Sequence, residues 1–154
     1  MEDLTIARAI HVLAVLMWIG GVAFVTTVVM PSIRHHHAPE ERLAAFEWIE
    51  GRFALQARFW VLLAGASGFW MVHRGRMWDR FADPHFWWMH AMVALWTIFM
   101  AMLFVIEPLF LRRRLQASPD PGVTIARMER MHRVLLALAI ITLLGAVAGS
   151  HGLI

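Results

Sequence analysis

Nine histidines stand in a chain of 154 residues, and their placement divides them. His35, His36 and His37 form a run, and His132 stands apart. His11, His73, His85, His90 and His151 fall toward the other ends of the apolar segments described below. Neutral imidazole is a good ligand for haem iron, copper or zinc, so imidazoles at one depth point to a shared metal or haem. The chain has no cysteine, which excludes disulfides, thiolate sites and iron–sulfur clusters. It has no tyrosine, and all fourteen basic residues are arginine, so a tyrosyl radical and a Schiff-base lysine are excluded as well.

The elements that must position these residues are apolar. At 60% hydrophobic residues, the chain carries more apolar surface than a soluble domain of this size hides. Four stretches reach the roughly 20 helical residues needed to cross a core of about 30 Å. They cover about 4–30, 53–72, 87–109 and 133–153. Pro31 is expected to end the first, which reads as a retained span rather than a cleaved signal peptide. None shows the alternation of barrel strands, so the fold expected is all-α, a single four-helix transmembrane bundle over 1–154. Residues 38–51 predict a short separate helix, on the membrane surface or extending the second span, with Leu43, Phe46 and Ile49 on one face. Ser118-Pro-Asp-Pro-Gly122 predicts a turn, with Thr124 capping the helix that leads into the last span.

Arginine sets the expected topology. Arg34, Arg42, Arg52, Arg58, Arg112, Arg113, Arg114, Arg127, Arg130 and Arg133 flank one side; Arg8, Arg74, Arg76 and Arg80 flank the other. The richer side is expected in the cytoplasm of a bacterial inner membrane, with both termini periplasmic. These charges flank apolar runs, so membrane lipid is the expected partner and nucleic acid is not. Arg58 and Glu107, in the cytoplasmic third of their spans, are expected to form a structural ion pair.

On this frame His11 lies roughly 9 Å from the middle of its span, and His90 and His151 roughly 12 Å, all toward the outer face. His73 and His85 lie nearer the headgroups. The bland role of a membrane histidine is a bond to a neighbouring carbonyl; three at matched depth favour a shared ligand. Haem b needs two facing imidazoles, an aromatic pocket and cations for its propionates, and His11 and His90 are the expected axial ligands. Trp18 shares the face of His11, and Gly20 and Gly21 below it leave room. Thr97 holds the matching place after His90. Arg8 lies one turn above His11, and Arg74 and Arg76 are also available to propionates. His151 and His73 are the alternative ligands and a conceivable second pair. Trp78, Trp87 and Trp88 read as an interfacial belt. Copper is the alternative ligand, because Met71, Met77 and Met89 are interleaved with His73, His85 and His90.

The run from His11 to Gly21, HVLAVLMWIGG, resembles the H-x-x-A-x-x-x-W-x-G-G opening of CopD-type copper-resistance membrane domains. It is also similar to the first helix of HemJ-type membrane protoporphyrinogen oxidases. Trp88-Met-His90-Ala-Met92 resembles their W-L-H-x-K, with Met92 at the lysine position. The resemblance implies a small four-helix membrane protein holding haem b, with ligands at His11 and His90, or else one that handles copper. The expected function is that of a membrane cytochrome b exchanging single electrons with quinol or a periplasmic partner. Copper handling, protoporphyrinogen oxidation, and a cofactor-free role as subunit of a larger complex or as a homodimer are the alternatives.

Overall fold

The computed structural model describes residues 2–111 and 121–153, with only the backbone described for 108–111 and 121. The described chain is helical throughout, with no strand among the described residues. Four long helices carry it. The first, α1, is Glu2–His36; α2 is Arg42–Arg74; α3 begins as Trp87–Ala101 and continues π-wound through Met102–Leu111; α4 is Pro121–Ser150. Two 3₁₀ turns, Trp78–Ala82 and Pro84–Phe86, join α2 to α3. Three of the four, all but α2, are long and apolar enough to cross a membrane.

Pro31 does not end α1. A proline inside a helix lacks a donor and crowds the carbonyl four residues back. The helix absorbs this by widening to π geometry over Val25–Val29, where the Met30 N–H reaches back five residues to the Val25 carbonyl. Thr26 and Thr27 donate their hydroxyls to the Val22 and Ala23 carbonyls at 2.7 Å, which eases the bend. α3 widens in the same way around its own proline, Pro108. Residues 38–51 form no separate surface helix: α2 runs unbroken from Arg42, so the helix there extends the second apolar segment, the other of the two arrangements expected. Its first turns bury Phe46 against Val25, Ile33 and Met128, with Leu43 and Ile49 partly buried beside it. α4 is already under way at Pro121, so Thr124 lies inside the helix rather than at its cap. Arg112, Arg113, Arg114, Ser118, Pro119 and Asp120 lie outside the described residues.

The helices meet through small residues that admit rings. A side chain built at Gly21 would collide with the Phe53 ring, at Gly65 with the Trp96 indole, at Gly145 with Trp87, and at Gly149 with Trp88. Close approach at glycine is how helices pack when no hydrophobic driving force separates protein from solvent. Trp88 is thereby buried, and belongs to the core instead of an interfacial belt; Trp78 and Trp87 are exposed. Around these notches Ala14, Trp18, Val22, Val61, Leu95, Phe99, Leu135 and Ala139 form the main core.

Two ion pairs tie the ends. Arg74 donates to the Asp3 carboxylate at 2.7 Å, setting the end of α2 beside the start of α1. Toward the other end Arg58 pairs with Glu107 at 3.4 Å, as the sequence suggests. Arg58 Nε also donates to the Leu103 carbonyl at 3.0 Å. In π register that carbonyl would bond the N–H five residues on, which is Pro108 and has none.

Candidate functional site

His11 is held by α2. Its Nδ1–H donates to the Ala64 carbonyl at 2.9 Å, and Ser67 Oγ lies 3.2 Å from the same nitrogen. Ser67 is itself fixed by donating to the Leu63 carbonyl at 2.6 Å. A Cβ added to Gly68 would stand 3.1 Å from His11 Cε1, so the absence of a side chain there makes the space the imidazole uses. A carbonyl can only accept, so the bond assigns the proton to Nδ1 and leaves the Nε2 lone pair for a ligand. An imidazole fixed by a backbone carbonyl through its other nitrogen is the usual state of a metal-ligating histidine.

Two turns below, Trp18 is buried edge-on to Phe99, with ring centroids 4.9 Å apart. Its Nε1–H has no acceptor among the described residues. Trp96, by contrast, donates to the Val61 carbonyl at 2.9 Å. The buried indole of Trp18 therefore lacks the partner that such a group ordinarily finds.

The other expected site residues are placed elsewhere. His90 is exposed; its Nε2–H donates to the Phe81 carbonyl at 3.0 Å, turning the ring toward the first 3₁₀ turn. His151 is exposed beyond the end of α4, with Nδ1–H donating to the Val147 carbonyl at 2.9 Å. His73 is exposed near the end of α2, and Arg8 and Thr97 are exposed on α1 and α3. The Thr97 hydroxyl is spent on the Val93 carbonyl. Arg74 is paired with Asp3, whose carboxyl, outside the span at 4–30, is held below the usual range first by that hydrogen bond. The space at Gly21 is filled by Phe53. Among the described residues no three His, Asp or Glu side chains gather as a metal-binding group.

The structure thus brings His11 together with Ala64, Ser67 and Gly68, and Trp18 with Phe99 two turns below. Sequence reasoning missed the α2 partners, although Ala64, Ser67 and Gly68 at spacings of three and four are a small-residue stripe of the kind that admits a neighbouring helix. For haem the fit is one-sided. The His11 edge suits an iron ligand, and an unpaired indole N–H nearby suits an acceptor. His90 is turned to a different element, and the core below His11 is closed by Trp18, Val61, Leu95 and Phe99. The chain matches no family model, no curated protein and no solved structure.

Proposed function

We propose that the chain is a four-span protein of the bacterial inner membrane, with periplasmic termini, that holds haem b near the outer face. It exchanges single electrons with quinol or a periplasmic partner. The observation that carries this reading is the His11 imidazole, fixed by the Ala64 carbonyl through Nδ1 and left with Nε2 unprotonated. α2 serves as the fourth span although Gln56 and Arg58 dilute it, because Arg58 is neutralised by Glu107 and bonded to a backbone carbonyl.

When bound, haem supplies a one-electron couple; the residues of the chain bind and orient it. His11 would hold the iron through Nε2. His90, in its W-M-H-A-M setting, is the candidate that would supply a second imidazole; in the structure that imidazole is bonded to the Phe81 carbonyl. Arg8, exposed one turn above His11, is the cation for a propionate, since Arg74 is engaged by Asp3.

Pyridine-haemochrome assay and absorbance of purified protein test the reading. Low-spin b-type bands are expected in the wild type, with loss or conversion to high spin in His11→Ala and in His90→Ala. His35→Ala and His132→Ala leave the bands unchanged. Normal bands in His11→Ala would overturn the assignment, and a colourless protein carrying stoichiometric copper would move the function to copper handling.

A further inference from the structure

At the arginine-rich end a cavity of about 340 Å³ opens between the last turns of α1 and the start of α2, lined by Val28, Val29, Ser32, Ile33, His36, His37 and Ile49. Its wall is apolar, and its polar groups are one hydroxyl and two imidazoles. His36 Nδ1–H donates to the Ser32 carbonyl at 3.0 Å, which leaves Nε2 for another partner. The connection that carries these imidazoles is fixed by Arg42, which donates to the Arg34 carbonyl at 2.9 Å and the His37 carbonyl at 3.1 Å. Arg42 has no carboxylate partner among the described residues, whereas Arg34 is paired with Glu129 at 3.7 Å. Arg42 therefore stands without an ion-pair partner among the described residues, bonded to the carbonyl of His37, which lines the hollow.

The apolar character continues along the span. Val28, Phe24 and Gly20, each a turn apart on α1, are exposed, and a side chain built at Gly20 would meet nothing within 4 Å. A cavity that is basic and polar at its mouth and apolar along a spanning helix has the two-part chemistry of a phospholipid: phosphate above, acyl chain below. Free phosphate would use only the mouth, and a neutral lipid would leave the charge of Arg42 unanswered.

We propose that this cavity seats one anionic phospholipid, its phosphate held by His37 and Ser32 beside Arg42, its acyl chain following Val28, Phe24 and Gly20. The site is independent of the haem reading, because it lies at the opposite end of α1 from His11.

Native mass spectrometry of the full chain released from mixed micelles tests it, with phosphatidylglycerol, phosphatidylcholine or inorganic phosphate added in turn. The expected result is a one-to-one adduct with phosphatidylglycerol, retained over phosphatidylcholine, and no adduct with phosphate. Each basic group beside an anionic lipid is worth about a fivefold change in affinity. Arg42→Gln is expected to lose about that factor. His37→Ala, which leaves the bond of Arg42 to the backbone carbonyl at that position in place, is expected to lose part of the phosphatidylglycerol selectivity. Val28→Trp fills the cavity and removes the adduct for either lipid. Equal retention of the two lipids by the wild type, wild-type selectivity in both polar variants, a phosphate adduct alone, or a lipid-free dimer abolished by Val28→Trp would each overturn the proposal.

Discussion

Glu50 illustrates how one side chain sets a pH dependence. It lies in the first turns of α2, before the span at 53–72, and its carboxyl is pushed up from the ordinary 4.5 to about 8, first by burial and then by the charges of Glu107 and Glu47. Below pH 4.5 the group is protonated folded or unfolded, and adds nothing to the balance. Between about 4.5 and about 8 the unfolded chain releases the proton and the folded chain keeps it, so stability falls as pH rises, and the loss is complete above 8. Glu50→Gln is expected to remove that slope and to gain about 1–2 kcal/mol over wild type at pH 9, with little difference at pH 4. Thermal unfolding in detergent at both pH values reads it; an unchanged slope in the variant would refute the assignment. His11 shows the same dependence on surroundings. Its depth and type are legible in the sequence, but its tautomer is set by the Ala64 carbonyl, which no spacing within α1 reveals. His90 was less legible still, because its partner Phe81 sits in a 3₁₀ turn whose sequence, Trp-Asp-Arg-Phe-Ala, carries no periodic signal.

At the scale of the helix, proline is accommodated twice by the same device. Val25–Val29 before Pro31, and Met102–Leu111 around Pro108, are wound as π-helix, and in the second case Arg58 supplies a donor where Pro108 has none. Removing that guanidinium should therefore cost less once the missing N–H is restored. Arg58→Leu is expected to lower stability by about 2–4 kcal/mol, and by about 1 kcal/mol less in a Pro108→Ala background. A double-mutant cycle with additive losses would show that the Leu103 bond is incidental. The sequence places both prolines but reads Pro31 as a stop, since the local rule holds only where no neighbour repairs the break. The ion pair of Arg58 and Glu107 was legible, because two opposite charges at one depth in apolar runs have few other solutions. For residues 38–51 the sequence left a surface helix and an extension of α2 both open; the burial of Phe46 against α1 and α4, a tertiary contact outside any local pattern, goes with the extension from Arg42.

For the whole molecule, hydropathy reads four spans where three of the helices, all but α2, are long and apolar enough to cross a membrane, and the orientation rests on the arginine count. Reporter fusions at Ile154 are expected to be active in the periplasm; activity confined to the cytoplasm would invert the molecule and move His11 to the inner face. What hydropathy leaves open is how the helices align, since leucine and valine stripes pack almost equally well after a slip of one turn. The contacts of Trp87 with Gly145 and Trp88 with Gly149 close that freedom. If the helices enter the bilayer one at a time and associate afterwards, the glycines act as a vernier during assembly. A one-turn slip that brings Ile141 to Trp87 sets a bulky ring against a side chain, so the seam is sterically shut in that register. Folding in the membrane is then a search for a position along the helix axis, and two neighbouring indoles are the gauge that ends it.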